Sequence, residues 1–474
     1  MGRLRNKLNT FLGTEEWYTY DSKGLLQQLL YRQYPNMSGS FPTVTLDLQR
    51  DLSGLITGLT GAKQLSASFN PDLEITAVQH TFPTTFSEAY SYDPRGNRLA
   101  SLSNTFAYND LNQLLESATH TYTYDADGNL IQERNKASGE TKKYFYNAEN
   151  RLTGYEHYAN EFTSVDQIAQ YTYDLYGRRI RKTVNGMVTN FLWDEDNISL
   201  ELNENHQPIR RYVYGVGMDN VEGHFEYAEA TSNPFATDHR GWYTYIKDQV
   251  GTIYKTFSHG TSQVVNTRAF DTFGNLISQS GTSKSPLGFQ SKYLDPESGL
   301  YYFFHRYYNP SAGKFITEDP IGLNGDYNLY RFELNNSINQ IDPLGLKCPC
   351  GEMVTQILTV GPIDAYIAKS LSEEAITVSE SGIIGPVIEK SVNGGPIDAF
   401  RHCYWSCRMA QEIGKNQAYL VGVVHEDCAD QTPSNESEMN DLFNNCIGIE
   451  MYDKGGCEEN CLDALKRGKL KTIK

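Results

Sequence analysis

The chain has 474 residues, a formal net charge of -17 and 39% hydrophobic residues, enough for a sizeable core and a length suited to two or three domains. No stretch approaches the roughly 20 apolar residues of a membrane helix, and no apolar segment follows the basic start Met1-Gly2-Arg3-Leu4-Arg5-Asn6-Lys7, so neither a bilayer span nor a secretory signal peptide is expected. The acidic balance argues against nucleic acid held on a broad basic face, although a small site can still act on a polyanion.

From the N-terminus a unit recurs: aromatic, any residue, aromatic, Asp or Asn, a turn, then an aliphatic residue. It reads Tyr18-Thr19-Tyr20-Asp21, Tyr90-Ser91-Tyr92-Asp93, Phe106-Ala107-Tyr108-Asn109, Tyr122-Thr123-Tyr124-Asp125 and Tyr144-Phe145-Tyr146-Asn147, with further copies from Tyr171 and Phe191 and a degenerate one at Phe270-Asp271-Thr272-Phe273-Gly274-Asn275-Leu276. Aromatics two apart share a face of a strand. Asp-x-x-Gly-Asn supplies side-chain turn bonding and a residue that tolerates positive φ, so each unit folds back as a hairpin. Such a hairpin buries its face only against its neighbours, which predicts a wound antiparallel sheet. The alternative is a β-sandwich with tyrosine-rich strands, and the regular repetition favours the wound sheet.

Further along, Asp319-Pro320-x-Gly322-Leu323 is repeated as Asp342-Pro343-x-Gly345-Leu346. Two carboxylates brought together can share a proton, one acting as acid and one as base. On the residues alone the rival reading, that each motif only builds a tight turn with Pro presetting φ, is the favoured one. A compositional break follows at once. All eight cysteines lie at or beyond Cys348, and only Tyr366, Tyr404, Tyr419 and Tyr452 of 33 tyrosines lie beyond residue 346. Two different modules meet there.

The second module, 347–474, carries 12 Lys and Arg against 19 Asp and Glu. A helix is predicted from Pro396, with Phe400, Tyr404, Cys407 and Ala410 or Gln411 on one face, ending near Gly414 or Asn416. Shorter helices are predicted over 418–425, 437–449 and 458–467. Cys403 and Cys407, like Cys457 and Cys461, are spaced i,i+4, too far apart to bond within one helix. They could lace two antiparallel helices with two disulfides, bind zinc as four ligands, or stay free. An even count of eight favours disulfides and an oxidising destination. Candidate chemistry clusters at Asp398, Arg401 and His402, at His425 and Glu426, and at Asp441. Asp398 and His402 are i,i+4 and can form an orienting pair for a general base or metal ligand, with His425 and Glu426 adding a second histidine and a carboxylate. A divalent metal is one option for this cluster. A hydrogen-bonded core histidine is the competing reading of His402.

The repeated unit resembles the YD repeats of Rhs proteins, Tc-toxin C components and teneurins. The resemblance tightens over Gly288-Phe289-Gln290-Ser291-Lys292-Tyr293-Leu294-Asp295-Pro296-Glu297-Ser298-Gly299-Leu300-Tyr301-Tyr302, His305-Arg306-Tyr307-Tyr308-Asn309-Pro310 and Asn328-Leu329-Tyr330, ending on the second Asp-Pro motif, where it is similar to the Rhs-associated core. It implies a mainly β YD-repeat shell followed by a small, mainly α, cysteine-rich domain. The domains would be a shell over 1–285, a core with a self-cleavage motif over 286–346 and a variable helical toxin-like tip over 347–474. It further implies that the shell encloses the tip and that the chain cuts itself between Leu346 and Lys347. Asp319 and Asp342 would be the aspartyl-type acid–base pair, Arg306 would orient the strand, and no cofactor would be required. Known families of this kind are longer, so an incomplete shell finished by a companion subunit belongs to the expectation.

For the tip, Arg401-His402, His425-Glu426 and Asp441 are similar to segments of helical polymorphic-toxin tips, although Asn440 is inserted before Asp441. Arg401-His402 with Tyr404 is also similar to the histidine-bearing helix of secreted phospholipases A2, with Cys403 where that family has Asp. The resemblance implies a secreted or surface-delivered effector acting in a target cell on lipid, cell wall or nucleic acid. Its expected partners are a cognate immunity protein, a secretion apparatus or companion shell subunit, and a target-cell macromolecule. The alternatives are a non-enzymatic pore-forming or binding effector and a teneurin-like surface adhesion protein.

Overall fold

The computed structural model describes residues 4–9, 14–21, 25–33, 41–101, 104–160, 164–194, 196–215, 218–229, 241–282, 285–320, 322, 326–346, 374–375, 396–412, 444, 456–467 and 469–470. The chain divides into two compact units, Asn6–Trp17 with Gln28–Lys347, and Met1–Arg5 and Tyr18–Gln27 with Cys348–Lys474.

In the larger unit, every strand from Val44–Arg50 to Leu276–Gly281 pairs antiparallel with the next one along the chain. The repeat chemistry accounts for this meander. In each turn the Asp carboxylate caps the backbone that follows it. Asp125 Oδ1 accepts from the Asp127 and Asn129 amides at 3.0 and 2.8 Å, while Asn129 Nδ2 donates to Oδ2 at 3.0 Å. Asp93, Asp174 and Asp271 repeat the pattern. Gly128 sits at φ +79°, a conformation that other residues adopt only with strain.

The two aromatics of each unit take different jobs. The first is buried in the core, as with Tyr122, Tyr144, Tyr171, Phe191 and Tyr212. The second coincides with a β-bulge at Tyr92, Tyr108, Tyr124, Tyr146, Tyr173, Trp193 and Tyr214. Its polar end reaches back to a carbonyl of the preceding hairpin. The Tyr146 hydroxyl donates to the Leu130 carbonyl at 2.7 Å, Tyr173 to Leu152 at 2.5 Å and Tyr108 to Arg98 at 2.9 Å, and the indole of Trp193 donates to Arg179 at 2.9 Å. Each unit is thereby bonded to the one before it, which fixes the winding. Early and late strands also meet: Lys63 Nζ is 2.6 Å from Asp248, Thr84 Oγ1 is 2.7 Å from Ser278 and the Thr272 amide is 3.1 Å from Glu88.

A second, four-stranded sheet runs through Tyr293–Asp295, Leu300–Phe303, Arg306–Asn309 and Lys314–Phe315. It packs onto the large sheet through a dry ionic cluster. Arg179 is wholly buried, its Nη1 lies 2.5 Å from Asp295 Oδ2, and its guanidinium lies over the rings of Tyr302 and Tyr293 at 4.5 and 5.0 Å. Lys182 bridges Asp295 and Glu297 at 2.9 and 3.2 Å.

In the smaller unit, α1 (Pro396–Glu412) and α2 (Cys457–Lys466) are joined by the disulfides Cys403–Cys461 and Cys407–Cys457. Of the three readings open for these cysteines, two helices laced by two disulfides is the one observed. Phe400, Cys407, Met409 and Ala410 of α1 are buried with Cys461 and Ala464 of α2. The predicted helices over 418–425 and 437–449 lie outside the described residues, apart from Asn444. Among the described residues no helix is long and apolar enough to cross a membrane.

The ionic cluster gives a testable expectation. Arg179→Met leaves two buried carboxylates to Lys182 alone and should cost about 3–5 kcal/mol. The double variant Arg179→Met/Asp295→Leu leaves the Lys182–Glu297 pair balanced and should be clearly less destabilised, as measured by urea unfolding. Simple additivity of the two single variants would contradict the clamp.

Candidate functional site

The two Asp-Pro motifs do form tight turns, and those turns converge. The Gly322 amide donates to the Asp319 carbonyl at 2.9 Å. In the second copy the side chain closes the turn, with Asp342 Oδ1 accepting from the Leu346 amide at 3.0 Å. Gly345 has φ +67°, and a Cβ there would collide with the Phe303 carbonyl. Glycine is required because the loop is pressed against the hairpin turn between Phe303 and Arg306.

Arg306 organises the junction. It is 2% exposed, beside Asp319 at 5% and Asp342 at 7%. Its Nη2 lies 2.8 Å from Asp319 Oδ2 and 3.6 Å from Asp342 Oδ2. Its Nη1 donates to the Leu329 carbonyl at 3.0 Å, its Nε donates to the Gly345 carbonyl, and its guanidinium lies 3.6 Å from the centre of the Phe315 ring. One cation thus holds both carboxylates and the backbone one residue before the Leu346 peptide. A guanidinium stays protonated even when buried. Burial pushes the Asp342 carboxyl up to about 6, the neighbouring Asp319 adds to that, and Arg306, Lys292 and the Leu346 amide pull it down. A carboxyl that can exchange a proton near neutral pH therefore lies against the Leu346 backbone, with a second, ion-paired carboxylate on the same arginine. These are the components of acid–base hydrolysis of an adjacent peptide.

Asp319, Asp342, Arg306 and Leu346, singled out from the sequence, are thus brought together, while Lys347 lies outside the described residues. Two neighbours were not singled out as site residues from the sequence. Lys292 Nζ donates to the Pro343 carbonyl at 2.5 Å and pairs with Asp219. Glu333 lies buried near Asp342. Lys292 reaches the junction from a loop distant along the chain, and Glu333 from the segment between the two Asp-Pro motifs, where no spacing marks it.

In the tip, Arg401 and His402 are half-buried on α1, next to the Cys403 disulfide. Asp398 lies one turn earlier on the same helix, its side chain outside the described part. His425, Glu426 and Asp441 lie outside the described residues. On the far side of His402, Tyr404 Oη and Arg408 Nε donate to Glu374 Oε1 at 2.6 and 3.0 Å, tying α1 to the segment at 374–375. Among the described residues no cluster of His, Cys, Asp and Glu could hold a metal ion.

Comparison with known proteins places this geometry. Residues 355–467 match a domain of unknown function, DUF6973. The tRNA nuclease WapA of Bacillus subtilis is 28% identical over 272 residues, covering 54% of this chain and 11% of that protein. Toxin protein Tse5 of Pseudomonas aeruginosa is 26% identical over 418 residues, covering 74% of this chain and 28% of that protein. The chain therefore spans only a small part of these two relatives. A crystal structure of TcdB2-TccC3-TEV aligns with 70% of this chain and 20% of its own at 16% identity, with a TM-score of 0.38. Residues 19–338 match the teneurin YD-shell family, and with the repeat geometry described above the chain belongs to that family as an Rhs/YD-repeat protein.

Proposed function

We propose that this chain is an Rhs-type effector in which a YD-repeat shell (1–285) and its core (286–346) deliver a C-terminal toxin (347–474) released by hydrolysis of the Leu346–Lys347 bond. The observation that carries the reading is the convergence of Asp319, Asp342 and the Leu346 backbone on the buried Arg306. Two motifs that only made turns would have no need to bury two carboxylates on one guanidinium. Ion-paired Asp319 acts as base toward water, and Asp342 acts as acid toward the Lys347 nitrogen. Arg306 fixes both carboxylates against the strand. The reading draws further support from relatives named as toxins, Tse5 and a double-stranded DNA deaminase toxin, and from one named as a tRNA nuclease. By the same analogy the effector is secreted or surface-delivered and meets a companion shell subunit or secretion apparatus, a target-cell macromolecule and a cognate immunity protein.

For the tip we favour hydrolase activity built on His402, assisted by Asp398, Arg401, His425, Glu426 and Asp441, on a scaffold held by the two disulfides. A binding or pore-forming effector is the second reading, favoured by the lacing of α1 to α2, which stabilises a small domain with or without catalysis.

Two outcomes are expected. Purified wild-type protein should run as two fragments on a denaturing gel, whereas Asp319→Asn or Asp342→Asn should give one intact chain. A single wild-type band would count against self-processing. Expression of 347–474 in the periplasm of a susceptible bacterium should arrest growth. His402→Ala should abolish the arrest with unchanged circular dichroism and melting, since losing an acid–base group costs about 10²–10⁴ in rate. A fully toxic His402→Ala tip would remove the proposed site.

A further inference from the structure

The residues before the proposed cut offer little to hold by their side chains. Leu344 is exposed, and Gly345 has no side chain. Pro343 lacks an amide hydrogen, so its carbonyl is the one main-chain group by which it can be bonded. Main-chain bonds nevertheless reach four consecutive residues. Lys292 Nζ donates to the Pro343 carbonyl at 2.5 Å, the His305 amide donates to the Leu344 carbonyl at 3.1 Å, and Arg306 Nε donates to the Gly345 carbonyl. The Leu346 amide completes the series by donating to Asp342 Oδ1 at 3.0 Å. Arg306 and Asp342 already belong to the acid–base constellation, and the His305 contact is main chain. Lys292 is the side chain in this grip that the chemistry does not otherwise use.

Lys292 comes to the loop from a turn that is itself fixed. It is 4% exposed and directly follows the turn Phe289–Ser291, in which Gln290 and Ser291 have φ of 47° and 60°. The turn is tied to the large sheet, with the Gln290 amide donating to Thr252 Oγ1 at 3.1 Å and Ser291 Oγ to the Gly251 carbonyl at 2.9 Å. It holds the segment before the cut at two points, because Gln290 Nε2 also donates to the Gln340 carbonyl at 3.2 Å. Those two carbonyls, of Gln340 and Pro343, flank Asp342. The Lys292 ammonium lies 4.8 Å from the centre of the Phe303 ring and pairs with Asp219, whose amide donates to Asn197 Oδ1 at 2.9 Å. Asp219 offsets the charge, and the carbonyl bond directs that charge onto the loop.

We propose that Lys292 is a positioning residue for self-cleavage, holding the Pro343 carbonyl so that the Leu346–Lys347 peptide is presented to Asp319 and Asp342. The inference rests on the self-cleavage reading above. Lys292 gives and takes no proton in the reaction. Without it the loop can shift about Pro343, and a misplacement of about 1 Å can cost roughly a hundredfold in rate.

The test times cleavage in the full chain, recovered unfolded and refolded by dilution, for wild type, Asp219→Asn and Asp219→Asn/Lys292→Met. Asparagine tolerates the φ of +58° at position 219 and still accepts from the ammonium. Methionine then replaces the lysine without leaving a charge buried and unpaired. Asp219→Asn should cleave at close to the wild-type rate, and the double variant about a hundredfold more slowly. Equal rates in the two variants would overturn the role of Lys292 while leaving self-cleavage standing. An Asp219→Asn chain as slow as the double variant would assign the effect to the ion pair and also overturn it. A wild-type chain that never cleaves would overturn both readings. Hydrogen exchange separates positioning from general loosening. In chains kept intact by Asp319→Asn, adding Asp219→Asn/Lys292→Met should speed exchange of the 344–346 amides while the strands Leu300–Phe303 and Arg306–Asn309 keep their protection. Unchanged exchange at 344–346, or an equal rise in those strands, would overturn the proposal.

Discussion

A guanidinium cannot shed its proton, so a buried one dictates what surrounds it. Arg306 is enclosed by Asp319, Asp342, two backbone carbonyls and the Phe315 ring. Breaking such an arrangement by removing one partner costs about 3–5 kcal/mol, because the remaining charge stays buried. Three loops separated along the chain are therefore fixed to one strand of the small sheet. The Leu346 amide is held by Asp342, one of the two carboxylates gathered on that cation.

The large sheet applies the same economy of parts by repetition. Its Asp caps a turn through hydrogen bonds confined to a few residues, its first aromatic fills the core, and its second bonds to the preceding hairpin. Burying a tyrosine without a partner for its hydroxyl would be unfavourable. The β-bulge at the second aromatic re-aims the ring toward that partner, so bulge and hydroxyl bond occur together. Dispersed over many units, these bonds tie each hairpin to the one before it.

Much of this was legible because it is local. Aromatics two apart and Asp-x-x-Gly-Asn act within one hairpin, so Tyr122-Thr123-Tyr124-Asp125 announces its own fold. Turns built on Asp51 and Asp248 went unrecognised although they use the same carboxylate capping, since Leu48 and Arg50 replace the aromatics before one and Lys247 stands in the aromatic position before the other. The α1 helix and its cysteine face followed from 3.6-residue periodicity, whereas choosing disulfides over zinc or free thiols needed the antiparallel placement of α2. At the junction the paired Asp-Pro motifs were visible, but that both carboxylates gather on Arg306 needed the folded chain. Lys292 and the Arg179–Asp295 clamp depend on contacts between distant segments, which no spacing rule encodes.

The central claim is that the chain hydrolyses one defined bond, using groups it carries itself. Intact-mass measurement of freshly purified protein, with N-terminal sequencing of the smaller species, addresses that claim most directly. The expected result is a smaller fragment that begins Lys347-Cys348-Pro349, alongside a larger one ending at Leu346, with no added protease. An uncut mass, or a new N-terminus at any other residue, would contradict the account.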